Sequence, residues 1–277
     1  FSMLPCNPLT DRMAVHVGQV SSFTLFCANM SSEITMQKPL LDPRNDLVFS
    51  LLFGQSLPLL TDLINAVRKD DPPILVQTVK NPRINPAHIT GKYIVLDILA
   101  QSEYGEWLNI EMQMQRRETW SARSIYYLSK AMAGQLQRGG SYAALKPVIG
   151  IHLLNYDLVP DQNQALWCFE MRDRTLPQVR LGSELQLNVV ELAKADRQRK
   201  AGKADKLPAA LIAWITYFQH WQEEDIMNQI DYAPVQQALA HLHSLSADEE
   251  TRRLAERREM ALLTEQLETK AAEARGR

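Results

Sequence analysis

The order of elements along the chain predicts an α/β protein: a mixed sheet flanked by helices, with a helical C-terminal extension. Three observations carry this reading. A helical pattern precedes three strand-like runs, and a second helical pattern and further strands follow them, which is the order of a layered α/β sandwich. Residues 92–100 are mostly β-branched or aliphatic and residues 107–115 alternate apolar with polar. A polar turn containing Gly105 separates these runs, so they form a hairpin. Beyond residue 246 the composition shifts to dense mixed charge at helical spacing.

Each element then follows in order. Residues 44–68 read as a helix, with Asp42 or Asn45 as candidate caps and Leu47, Phe49, Leu51, Leu52, Leu59, Leu63 and Ile64 as its buried side; Pro58 must kink or break it. A strand at 74–80 and a loop with Pro82 and Pro86 lead into the hairpin. Residues 118–138 form a helix that stops at Gly139-Gly140. Strands are expected at 147–155, 165–171 and 183–191, and helices at 208–223 and 234–243. The run SADEE opens the last helix with Ser246 as cap, and Leu254, Ala261, Leu262 and Leu267 lie among its charges without a strict heptad. The expected organisation is a leader at 1–35, with Met36 as a natural start, a globular domain at 36–225 and a charged helical tail at 226–277.

Composition narrows the function. The 277 residues are 45% hydrophobic and 22% charged, ordinary for a globular protein, and a net charge of −2 excludes a uniformly basic nucleic-acid coat. Cys6, Cys27 and Cys168 are too widely spaced for a zinc motif or a disulfide framework, so a reducing cytoplasm is the expected location. His16, Gln19, Ser21, Ser22 and Asn29 interrupt the apolar stretch at 13–30, and no membrane span is expected.

The hairpin carries the chemistry. Leu108, Ile110, Met112 and Met114 share one face, while Trp107, Asn109, Glu111, Gln113 and Gln115 share the other. A turn centred near Tyr104 sets Asp97 opposite Glu111, with Cβ atoms ~5 Å apart, and Gln113 opposite Val95. Two carboxylates so close repel, and a divalent cation between them removes the conflict. Hard oxygen ligands point to Mg²⁺, with Mn²⁺ as a substitute. The bland alternative is an edge hairpin with a polar solvent face, but Asp97 interrupts the apolar run IVLDILA, where the sheet is expected to be covered. Lys92 has the opposite strand parity to Asp97.

Asp, a hairpin and then Glu-x-Gln resembles the PD-(D/E)xK nuclease core in the variant where Gln replaces the usual Lys. More narrowly, DPRNDLVFSLLFG at 42–54, LDILAQSEYGEWLNIEMQMQ at 96–115, RSIYYLSKAMAGQLQRGGSYAALKPVIGIHLLNY at 123–156 and the ending from LSADEE resemble the bacterial recombination-promoting nuclease and transposase family. The family usually has a Lys after the VF of its first helix, where this chain has Ser50. The resemblance implies a restriction-endonuclease-like fold and a Mg²⁺-dependent DNA endonuclease linked to recombination or mobile elements. Asp97 and Glu111 would hold the metal and Gln113 would align the nucleophile. Asp46 would stand near the metal, although a residue that merely complements the helix dipole reads the same way. An inactive relative that binds DNA or protein is the alternative.

Two basic segments are candidate DNA contacts. Arg123 and Lys130, with Tyr127 between them, fall on a similar helix face. Arg197, Arg199 and Lys200 lie in KADRQRKAGKADK at 194–206, read as a basic loop. Solvated surface charge is the ordinary cause of both patterns. The C-terminal helix is a candidate surface for homo-oligomerisation.

Overall fold

Two helices rather than one open the fold, in a computed structural model that describes residues 38–69, 71–80, 98–204 and 206–275. Helix α1 (Asp46–Gly54) is capped by Asn45, whose side chain accepts from the Leu47 and Val48 amides at 3.1 and 3.4 Å. Helix α2 (Leu57–Val67) begins afresh with Pro58 in its first turn, and the two axes bend by 108°. Proline therefore starts a helix here instead of kinking one, because first-turn amides have no partner within the helix to lose. The expected leader at 1–35 and Lys92, Val95 and Asp97 lie outside the described residues.

The sheet comprises β1 (Val76–Val79), β2 (Ile98–Ser102), β3 (Trp107–Gln113), β4 (Val148–Leu154), β5 (Leu166–Glu170) and β6 (Leu185–Glu191), in the order β1-β2-β3-β4-β6-β5. Strands β3, β4 and β6 run parallel and the other pairs antiparallel, so the sheet is mixed, as expected. Gly105, with φ of 83°, supplies the left-handed residue of the β2–β3 turn.

Helix α3 (Trp120–Ala133) covers one sheet face, where Trp120, Leu154 and Val189 pack together. It ends at Gly134, short of Gly139-Gly140, because the Gln135 amide both donates to and accepts from the backbone of Lys146 and ties the chain to the start of β4. A Cβ on Gly150 would lie 2.8 Å from Leu187 and 3.3 Å from Leu128, which is how closely α3 approaches β4. The other face packs Leu108, Ile110, Met112, Ile151 and Leu153 against α1, α2 and α5 (Ala209–His220), where Phe53, Trp214 and Phe218 form an aromatic cluster.

The basic segment at 194–206 is not a loop throughout. Its first half is α4 (Leu192–Lys200), with Leu192 and Ala195 in the core and Asp196 paired at helical spacing with Arg199 and Lys200. After the short α6 (Glu224–Met227) comes α7 (Ala233–Ala247). The stretch expected as a tail enters the core here, through Val235, Ala238 and Leu242. Ser246 closes α7 and accepts from the Leu41 amide at 2.9 Å; Asp248, not Ser246, caps the first turn of α8 (Glu249–Arg275) by accepting from the Thr251 amide at 2.7 Å. Among the described residues no single helix is long and apolar enough to cross a membrane.

Candidate active site

Strand β3 is paired at both edges, with β2 and β4, and helices pack on both faces of the sheet. Asn109 and Glu111 are buried beneath α3 instead of lying on the solvent face of an edge hairpin. The described hairpin pairs Ile98 with Ile110 and Gln101 with Trp107, which is the register assumed for the two acids.

Glu111 is 5% exposed, and burial raises its carboxyl pKa against the opposing pull of Arg123 and Arg117. Its neighbour in the ladder is His152, fully buried, with Nδ1 3.6 Å from Glu111 Oε2. Burial and then Arg123 lower the imidazole pKa to about 3, so His152 is neutral at pH 7. Around it, Ser124 Oγ donates to the Trp120 carbonyl at 2.9 Å and lies 3.4 Å from His152 Nδ1. Asn109 Nδ2 lies 3.4 Å from His152 Nε2, and the Trp120 ring meets the imidazole edge-on. Among the described residues the buried Tyr156 hydroxyl has no hydrogen-bond partner, and burial together with the charge of Glu111 raises its pKa.

A pH dependence follows from His152. Its folded-state pKa lies below the ordinary 6.5, so the unfolded chain binds the extra proton. Stability from this group is complete above 6.5 and is lost as pH falls toward 3. Urea midpoints should drop across that window, and His152→Leu should flatten the drop; an equal slope in both proteins would assign it to other groups.

Gln113 is half-buried at the end of β3, where its amide donates to the Gln115 carbonyl at 3.1 Å. Its own carbonyl accepts from the Asn155 amide at 3.0 Å. The Asn155 side chain accepts in turn from Arg44 at 3.4 Å and Gln219 at 3.0 Å, which fixes the start of α1 beside this end of the sheet. Asp46 stands in the first turn of α1 with its carboxylate engaged by Arg258 of α8, Nε at 2.9 Å and Nη2 at 2.7 Å from Oδ2.

Of the expected cations, Arg123 acts on Glu111 through its charge; among the described residues its buried Nε has no hydrogen-bond partner, and its guanidinium lies 5.5 Å from the Tyr127 ring. Lys130 is exposed farther along α3. Arg197 pairs with Asp157 at 2.6 Å, and Arg199 and Lys200 both pair with Asp196, at 2.7 and 2.8 Å. Arg197 thus has a carboxylate of its own, while Arg199 and Lys200 share one. His152, Ser124, Tyr156 and Arg117 were not foreseen. The available signal was His152 as the one ionisable residue in the apolar run VIGIHLL, but its partner is set by strand pairing across the fold.

Among the described residues no three His, Cys, Asp or Glu side chains cluster as a metal centre. A buried carboxylate whose nearest described ionisable neighbour is a neutral imidazole nevertheless fits a hard divalent cation. A family model described as PD-(D/E)XK nuclease family transposase matches residues 43–272. No curated protein and no solved structure matches the chain significantly.

Proposed function

The chain belongs to the PD-(D/E)XK nuclease family transposases, and from that premise we propose that it is a metal-dependent DNA endonuclease acting in recombination or on mobile elements. The observation that carries the reading is the buried Glu111 on a central strand, with Gln113 two residues on and of the same strand parity. Asp97 and Glu111 would hold Mg²⁺ or Mn²⁺. Such an ion, when bound, acidifies water and polarises the scissile phosphate. The chain's own groups do the rest. Gln113 offers a neutral amide that orients the attacking water by hydrogen bonding. Arg123 and Arg117 place positive charge near Glu111, where the phosphate gathers negative charge. The cover of α3 keeps bulk water from the carboxylate. We place the protein in the cytoplasm. Met260, Leu263 and Leu267, exposed along α8, are the surface for self-association.

The second reading, an inactive relative that binds DNA or protein, is favoured by the engagement of Asp46 with Arg258 and by Gln113 standing where the superfamily's Lys usually does. Plasmid nicking separates the two. Wild type should nick with Mg²⁺ and not in EDTA, and Asp97→Ala should be inert. Gln113→Ala should cut far more slowly while binding DNA as wild type does. Equal cleavage by all three proteins would assign the activity to a contaminant.

DNA binding through α4 has its own test. If Arg197, Arg199 and Lys200 reach phosphates, replacing all three by alanine weakens binding to every sequence alike and reduces the salt slope by about 0.9 for each phosphate that is no longer neutralised. An unchanged slope would leave α4 with a structural role.

A further inference from the structure

We propose that a groove on the sheet face opposite Glu111 binds the phosphate of a nucleotide, either free or at the end of a nucleic-acid strand. Residues paired across a sheet point the same way, so Glu111, His152 and Val189 share one face. Gln186 and Asn188 of β6 therefore face the other side, as do Glu170 and Cys168 of β5, which pair with them. There the segments after α2, before β5 and after α4 enclose a cavity of about 690 Å³.

The groove replaces apolar core with polar groups. Farther along β6 the same face carries Val190, part of the main core, yet here Gln186, Asn188 and Arg68 are each at most 7% exposed. Most of these polar groups are satisfied among themselves. Asn188 Nδ2 donates to Gln186 Oε1 at 2.9 Å, and Gln186 Nε2 donates to Asp71 at 2.9 Å and Glu170 at 3.3 Å. Glu170 is also shared by Arg172 and Arg180, so both carboxylates of the lining are committed. Among the described lining residues, positive charge is in excess. Arg68, Lys69, Arg172, Arg180, Lys203 and Lys206 line the groove against Asp71 and Glu170 among the described residues. Among the described residues, Arg68 Nε is buried with no hydrogen-bond partner. Among the described residues, the ammonium groups of Lys203 and Lys206 have no carboxylate partner, unlike the cations of α4 just before them.

An unmatched buried N–H and excess positive charge, in a chain of net charge −2, fit an anion with several acceptor oxygens. The volume lies within the roughly 300–1,000 Å³ of small-molecule sites, and among the described residues no aromatic ring lines it for stacking. The ligand is therefore held by its phosphate and not by its base. Because the groove and Glu111 lie on opposite faces, this inference stands whether or not the nuclease reading does.

The test is fluorescence anisotropy of the full chain in EDTA, which prevents cleavage. The probe is a 3′-labelled trithymidylate with a 5′-phosphate, compared with its unphosphorylated twin. Wild type should prefer the phosphorylated probe, and the rim double variant Lys203→Glu/Lys206→Glu, checked for an unchanged melt, should bind it about tenfold or more weakly. Competition by ADP would identify a free nucleotide as the ligand; competition only by a 5′-phosphorylated strand would identify a strand end. Equal binding of the two probes, or wild-type affinity in the rim variant, would overturn the proposal.

Discussion

Glu111→Gln should lower Mg²⁺-dependent nicking by on the order of 10²-fold or more, the scale seen when one preorganised charge-stabilising group is removed. The same substitution should raise the melting temperature of the metal-free protein. Burial holds the Glu111 carboxyl pKa above its ordinary value, so the ionised side chain opposes folding at pH 7 and a neutral amide of equal size relieves that cost. Metal should reverse the order. A cation that binds only the folded state stabilises by about 2.7 kcal/mol at a hundredfold excess over its Kd, and Glu111→Gln should lose that gain. Nicking rates and thermal melts with and without Mg²⁺ supply both halves. A glutamine variant that still cuts and still responds to metal would remove Glu111 from the site.

Arg258→Ala should give a large loss of stability with the metal response retained. Arg258 is nearly buried, its side chain 8% exposed, and it makes a two-pronged contact to Asp46, 23% exposed. Removing one partner of a buried pair costs about 3–5 kcal/mol; with Asp46 partly in solvent, about 2 kcal/mol is the expected scale. Asp46→Asn should cost less, since its amide oxygen still accepts from the guanidinium. Denaturant midpoints for both single variants and the double variant would measure the coupling. Independent, additive losses would mean that the pair does not fasten α8 to α1. If Asp46 instead serves the metal, Asp46→Asn should reduce nicking more than stability.

Much of this molecule is local in origin and therefore legible in the chain. Alternation in residues 107–113 fixed which side chains share a face of β3, the Gly105 turn fixed the hairpin register, and Asn45 fixed the start of α1. The matched family span of residues 43–272 agrees with the segments that carried the resemblance. Cues with two local outcomes were decided by tertiary packing. Pro58 reads equally as a kink or a break, and the packing of α1 and α2 against α5 and the sheet made it a break, at which α2 begins. The mixed charge of 194–206 reads as a loop until Ala195 finds the core and Asp196 gathers Arg199, Lys200 and His220. The packing of α3 over this face of the sheet buried Glu111, and the parallel β3–β4 ladder brought His152 to it from 41 residues away in sequence. Alternation and turns act between near neighbours and are written in the chain. Burial, pKa and ion-pair partners depend on which distant segments exclude water from a group, and the tertiary structure decides that.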